Sequence, residues 1–366
     1  MSASPISFYP SQSKLGFEGL LSQPGWEHGN RFKSQAQALI SSEWPTLQTR
    51  LTHSGTAALE MGTLLEQVST GDEIILPSYT YVSSATAFAM RGCTLKFADI
   101  NPRTLCLDIP SVEKALTPNT KGVLTVHYNG INPDLKELSA LCKKHGIGLW
   151  GDGAMSFGQE QELFELCDWS IISLDHTKHF HAVQGGIFLT HPNRYPALDE
   201  SLRNGTNKLA FDRGDVSSYE WVGPGSKFEM SELHAFLLFE QWKQKDSVLS
   251  MRKSNSQHLQ YLLKEGEQKG YWQCPTHVDN AIHGYYLIFP NASTRHTIQE
   301  QLNAMGIEAR PHYTPLHSSS FGQKFNTDSL PNTEWVANGL LRLPQHEEVS
   351  ESQLNSLAET LYRFFS

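Results

Sequence analysis

Nowhere in the 366 residues is there a run of about 20 consecutive apolar side chains, the length a helix needs to cross a bilayer. Basic residues are in the minority: 29 Lys and Arg face 38 Asp and Glu, a formal charge of −9. A chain that worked by neutralising nucleic-acid phosphates would carry the opposite balance, although a local basic pocket for a small phosphate stays open. Cysteine is sparse. Cys93, Cys106, Cys142, Cys167 and Cys274 are odd in number and no two form a CxxC pair, so neither a disulfide framework nor a zinc ribbon is indicated. This usage suits a reducing compartment. The first residues, MSASPISFYPSQSKLGF, lack a basic stretch followed by an apolar one, so no secretory leader is expected. There is no internal repeat and no low-complexity tract. The expectation is a cytoplasmic globular chain with no nucleic-acid partner and no membrane partner, long enough for roughly two domains.

From about residue 56 to 190, helical stretches alternate with short β-rich runs bounded by Gly, Pro, Asn or Asp. The runs are EIILP (73–77), TLKFADI (94–100), KGVLTVHY (121–128), IGLWGD (147–152), WSIISLD (169–175) and GGIFLT (185–190). Short apolar strands separated by helices predict an α/β fold built on a mostly parallel central sheet. Such a sheet binds ligands beyond the carboxyl ends of its strands. Residues 230–265 read as long helix with a break near Asp246. Beyond Gly270 the pattern changes to strand-like YYLIF (285–289) and IEARPHY (307–313), with helices at 294–306 and 350–365. The predicted division is a large domain with an N-terminal arm over 1–245 and a smaller C-terminal α+β domain over 246–366.

Three features fall at predicted strand ends or helix starts. Ser54, Gly55, Thr56 and Ala57 open a helix whose free N–H groups would hold an anion; alone, they read equally as an N-cap. Asp152 ends a strand, where a carboxylate caps a turn or holds a cofactor nitrogen. Lys178 lies near the end of the next strand, where it is either a solvated lysine or an amine activated by burial. Together with the aromatic-rich strand end at 77–81, these residues form a set. An anion cradle, an aromatic face, an acid for a ring nitrogen and an amine for an aldehyde are what pyridoxal 5'-phosphate (PLP) requires.

At this point the sequence resembles a known family. SGTAALEM (54–61), GDEIILPSYTYVSSATAFAMRG (71–92), TVHYNG (125–130), GDGAM (151–155), SLDHTK (173–178), the stretch 203–236 and HYTPLH (312–317) are similar to the DegT/DnrJ/EryC1/StrS sugar aminotransferases. With the RLP at 342–344, the later segments look most like the branch that makes dTDP-4-amino-4,6-dideoxygalactose. The resemblance implies a PLP-dependent transferase of fold type I, aspartate aminotransferase-like, working as a homodimer with shared active sites. Its reaction would move an amino group from glutamate to a nucleotide-linked keto sugar, as in amino-sugar biosynthesis for O-antigen. It implies that Lys178 is the Schiff-base lysine and the proton shuttle, and Asp152 the partner of the pyridine nitrogen. Tyr81 would stack on the ring. Gly55, Thr56 and Ala57 would hold the phosphate with Ser173. Lys227 would reach the neighbouring subunit's phosphate. Met155, His179, His312, Tyr313 and His317 would approach the substrate.

The chain departs from the family pattern at several places. Met155 stands where the family usually has Gln, His179 where it has Asn, and Val183-Gln184 precede the Gly pair where it has Gly-Glu. These departures keep a second reading open, a PLP-binding homologue without turnover that serves regulation or assembly. A third, a PMP-dependent sugar dehydratase, normally has His in place of the lysine, so Lys178 speaks against it. His176, His179 and His181 invite a metal reading, but alternate side chains of an extended segment face opposite ways, so no metal is expected.

Overall fold

In the computed structural model the described residues are 5–10, 30–131, 134–158, 162–277, 279, 282–325 and 328–365. The rest of the expected N-terminal arm, 1–4 and 11–29, lies outside them.

A seven-stranded sheet organises the first half of the chain, in the order β1-β7-β6-β5-β4-β2-β3. Its strands are β1 (Gln48–Thr52), β2 (Glu73–Pro77), β3 (Thr94–Ala98), β4 (Thr120–Val126), β5 (Gly148–Asp152), β6 (Trp169–Ser173) and β7 (Gly186–Thr190). The pairs β3–β2, β2–β4, β4–β5 and β5–β6 are parallel, whereas β7 runs antiparallel to both β6 and β1. Two reversals return β1 to the direction of β6. The end of β1 therefore opens on the same edge as the ends of β4, β5 and β6.

Helices cover both faces, so the inner strands β2, β4, β5, β6 and β7 are largely buried on both sides and read as apolar runs. On one face Phe88, Trp150, Trp169 and Phe188 stack in a row across the strands, with successive ring centroids 5.3, 5.8 and 5.7 Å apart. All four are buried. The indole nitrogen of Trp150 also donates to Glu66 at 3.1 Å.

A second, three-stranded antiparallel sheet has the order β8-β10-β9, with β8 at Tyr285–Ile288, β9 at Arg310–Pro311 and β10 at Leu340–Leu343. It packs on the helices Lys245–Gln268, Ala292–Ala304 and Glu351–Arg363 around Leu259, Leu287, Leu302 and Leu357. The N-terminal segment is strapped to this unit: Ile6 pairs with Ile307, and the Phe8 N–H donates to Glu308 at 3.0 Å. A third cluster joins the two sheets, with Tyr79, Tyr128 and Met155 from one side and Tyr286, Ile288 and Val336 from the other. Asp99 reinforces the join. Its carboxylate accepts from the N–H groups of Asn332 and Thr333 and so caps the helix Pro331–Gly339.

The six predicted strand runs of the central sheet are present with ragged ends. The strand β1 and the helix Arg31–Glu43 before it carry no clear periodic signal and were not expected. The long helix breaks at Lys243–Gln244, ahead of Asp246. The expected strand 307–313 shrinks to Arg310–Pro311, paired with Arg342 and Leu341. Proline has no N–H to continue the ladder. No helix among the described residues is long and apolar enough to cross a membrane.

Because Trp150 is the middle of the stacked row, Trp150→Ala should destabilise the chain by about 3–5 kcal/mol, read from urea unfolding.

Candidate active site

The edge where β1, β4, β5 and β6 end opens into a cavity of about 780 Å³ between the two sheets. Its floor is Asp152, the last residue of β5, which is 4% exposed. The Ser84 hydroxyl donates to one carboxylate oxygen at 2.6 Å, and the Ala154 N–H donates to the other at 3.0 Å. Thr80 and Ser84 are linked in turn, hydroxyl to hydroxyl, at 2.9 Å. Burial pushes the Asp152 carboxyl above its ordinary range, against the pull of Ser84, Ala154 and the Lys178 charge.

Lys178 faces the same cavity from the turn after β6, where its backbone N–H donates to the Asp175 carbonyl at 2.8 Å. Burial lowers its ammonium pKa; Asp152 opposes the shift and the Arg342 charge adds to it. Its position and depressed pKa are those of an amine prepared to attack a carbonyl carbon.

A helix start lies at one end of the cavity. Ser54 caps the helix Gly55–Leu65: its hydroxyl accepts from the Ala57 N–H, and its carbonyl from the Ala58 N–H. Gly55 and Thr56 line the cavity, and their N–H groups, in the first turn, precede any intrahelical partner. Ser173 closes this corner. A Cβ on Gly55 would lie 3.0 Å from that of Ser173, so glycine is what lets the helix start approach β6. Thr56 and Ser83 share a hydrogen bond of 2.8 Å across the cradle. Tyr81, 60% exposed, and Ala154 also line the cavity. His127, at the end of β4, is buried there and neither ring nitrogen has a hydrogen-bond partner among the described residues. Burial lowers its pKa to about 4, so the ring is neutral.

The structure thus gathers Gly55, Thr56, Tyr81, Asp152, Met155, Ser173, Lys178, His312 and Tyr313 around one space. Ala57 stands one residue behind, its N–H spent on the cap. Met155 is buried, and its sulfur accepts the Asn129 N–H at 3.4 Å. The His312 ring nitrogen meets the Tyr128 hydroxyl at 3.1 Å, and its carbonyl accepts from Tyr79.

Two residues expected near the substrate do not line the cavity. His179 is buried behind the wall, turned away by a 2.8 Å bond from its Nε2 to the Phe157 carbonyl. His317 is held outside by Ser78, at 2.7 Å, and by Glu334. Lys227 is exposed and lies away from this cavity, bridged to Arg203. No cluster of three or more potential metal ligands forms among the described residues.

Sequence reasoning missed His127, His283 and Arg342 as cavity residues, and Ser84 as the buried hydroxyl that holds Asp152. His127 follows a strand on the binding edge, a signal that could have been used. His283 and Arg342 come from the second sheet, and nothing local in the sequence places them here.

The model of the DegT/DnrJ/EryC1/StrS aminotransferase family matches residues 47–362, and the chain belongs to this family. Solved structures with the same fold include a Streptococcus pneumoniae protein described as a sugar aminotransferase, in its PMP form. That protein is 22% identical, with 98% of this chain and 97% of that one covered and a TM-score of 0.88. The Helicobacter pylori aminotransferase of pseudoaminic acid biosynthesis, PseC, is 20% identical, with 99% of each chain covered and a TM-score of 0.88. DesI, solved in the presence of its TDP-sugar product, is 24% identical over 91% of this chain and 84% of that one, with a TM-score of 0.79. The mostly parallel sheet is the type I fold of these aminotransferases.

A carboxyl whose folded pKa exceeds its unfolded value is ionised first in the unfolded chain. Ionisation of Asp152 therefore costs the folded state stability as pH rises above its unfolded pKa. Without cofactor, Asp152→Asn should melt at a higher temperature than wild type at pH 7, and the difference should vanish at pH 3. Calorimetric scans at the two pH values check this.

Proposed function

We propose that this chain is a PLP-dependent aminotransferase that moves the amino group of glutamate onto a nucleotide-linked keto sugar, a dTDP- or UDP-4-keto-6-deoxyhexose. The observation that carries the reading is the placement of Lys178, Asp152 and the Gly55–Thr56 helix start around one cavity. The PMP form of the pneumococcal protein and the TDP-sugar product of DesI support it.

The residues fit the cofactor by their chemistry. The Gly55 and Thr56 N–H groups and the Ser173 hydroxyl suit a phosphate, and Asp152 suits a protonated ring nitrogen. Tyr81 and Ala154 offer walls, and His127 is a buried, neutral ring beside them. When bound, PLP supplies the aldehyde carbon that carries the nitrogen and an electron sink for the donor's Cα. This chain's residues do the rest. The Lys178 amine takes the proton from the Cα of the donor and returns it on the other side of the transfer. When the acceptor ketone is aminated, Lys178 runs the same proton movement in reverse. Asp152, held by Ser84 and Ala154, keeps a positive charge opposite it. Tyr313 and His312 bound the space left for the sugar.

A second copy of the chain completes this reading. Between Arg203 and Lys227 the chain exposes Phe211, Tyr219, Val222 and Trp221, the last 79% exposed. Exposed aromatics in one segment mark a protein contact. The reading assigns this segment to the partner of a homodimer, with Lys227 turned toward the partner's phosphate site. The large and small domains divide near residue 245.

Adding PLP to the purified protein should give a visible absorbance band that L-glutamate bleaches. Lys178→Ala should lose the glutamate response and about 10⁴-fold in turnover, measured with dTDP- and UDP-4-keto sugars. A band that ignores every amino acid would favour the non-catalytic homologue; no band would sink the cofactor assignment. Light scattering should give twice the 41.1 kDa chain mass, and Trp221→Asp should shift the species toward monomer.

A further inference from the structure

The loop that carries Lys178 returns to the sheet through Val183, whose backbone is one that a branched side chain rarely takes. Its φ is 65°. Gln67, Leu105 and three asparagines also have positive φ, but among the described residues Val183 is the one β-branched side chain that does. In this region the Cβ crowds the neighbouring carbonyl, and glycine alone takes it at no steric cost. Glycine is what the family pattern has at this place, where the chain has Val183-Gln184 before its Gly pair.

Contacts on both sides hold the residue there. The His176 N–H donates to the Val183 carbonyl at 2.9 Å, and the Val183 N–H donates to His181 Nδ1 at 3.3 Å. Before it, the Ala182 N–H donates to the Leu174 carbonyl at 3.0 Å; after it, the Leu174 N–H donates to the Gly185 carbonyl at 2.9 Å. Gly186 then passes so close to the Ser54 carbonyl that a Cβ would lie 2.4 Å from its oxygen. Strained backbone persists only where its surroundings over-determine it, and it gathers at functional sites. Here the outcome is an aliphatic side chain at the cavity. Leu59, Val126, Met155 and Ile171 border the same space and are buried, whereas Val183 is 41% exposed and still has apolar surface to cover.

We propose that Val183 is a specificity-determining residue for the acceptor, its methyl groups packing on the C6 methyl of a 4-keto-6-deoxyhexose. This deepens the aminotransferase reading and rests on it. In such a sugar the methyl is carried by C5, which is bonded to the C4 that is aminated. The reacting carbon has to come to Lys178, and Val183 is tied by its carbonyl to His176, two residues before that lysine. A side chain held on the lysine's own loop is therefore placed for a substituent next to the reacting carbon. The amino donor offers no methyl group, and its carboxylates gain nothing from an aliphatic wall. Covering exposed apolar surface with a methyl is favourable, whereas a polar group in its place would lose its water without finding a hydrogen bond on valine.

The test is the ratio of kcat/KM for two acceptors, measured with the PLP-loaded protein and L-glutamate. One is the 4-keto-6-deoxyhexose and the other the 4-keto pentose that lacks C6, both presented on the same nucleotide, first dTDP and then UDP. Wild type should favour the deoxyhexose by about 10-fold, the worth of one methyl group in an apolar contact. Val183→Gly should bring the two acceptors within about twofold of each other by losing rate on the deoxyhexose. It should melt no lower than wild type, because glycine takes this backbone without strain. Val183→Thr keeps the branch and the strained backbone and exchanges one methyl for a hydroxyl. It should lose most of the preference as well, which a purely structural role for the branch would not predict. Melting curves identify a variant that fails to fold, and the other variant then decides. An unchanged ratio in Val183→Gly, or a wild type indifferent to the methyl, would overturn the proposal and leave the aminotransferase reading intact. Equal losses with both acceptors would place the effect in the Lys178 turn and overturn it too, as would a full preference retained in Val183→Thr. A wild type that responds to glutamate yet aminates neither sugar would remove the acceptor reading and this inference together.

Discussion

The buried carboxylate of Asp152 is the constraint around which the site is arranged. A carboxylate below the surface at a strand end is costly unless its oxygens are bonded. Ser84 and Ala154 supply those bonds. Ser84 comes from the first turn of the helix after β2, and Ala154 from the turn after β5. Satisfying one acid therefore sets the spacing of two elements, and with it where Tyr81 stands. Lys178 reaches the same space from the next strand, so β5 and β6 being parallel neighbours is what brings acid and amine together.

The cavity is polar where an ordinary core would be apolar. His127 is buried with no hydrogen-bond partner among the described residues, Asp152 is held against burial, and the Lys178 amine shares the space with the Arg342 guanidinium. Each is unfavourable in the isolated chain. The surrounding structure is correspondingly firm. The stacked row Phe88, Trp150, Trp169 and Phe188 stiffens the sheet beneath. Asp99, Asn129 and the Tyr79–Tyr128–Tyr286 cluster hold the second sheet against the mouth.

Met155 shows how a departure from the family pattern is absorbed. Its thioether cannot donate a hydrogen bond, but it accepts the N–H of Asn129, a residue with φ of 54°. That left-handed residue is the one whose side chain clamps Gly284 beside Arg342. The substitution thus links the acid turn to the wall where Arg342 lies.

Much of this was legible in the residues themselves. Uninterrupted apolar runs such as EIILP and WSIIS predict strands covered on both faces, and the Gly, Asp and Lys at their ends predict the binding edge. Position at a helix start and at strand ends marked Ser54, Asp152 and Lys178 as candidates, whereas the close approach of Gly55 to Ser173 came from the fold. Tertiary structure alone decided which histidines face the cavity. His179 is adjacent to Lys178 in sequence yet is turned away by a carbonyl 22 residues distant, whereas His283 arrives from the other sheet. Arg342 likewise depends on β10 lying between β8 and β9. Local propensity and strand-end position act over a few residues, so the sequence carries them openly. Side-chain direction at a junction of two sheets is decided by partners 22 to 104 residues apart in the chain, and only packing reveals it.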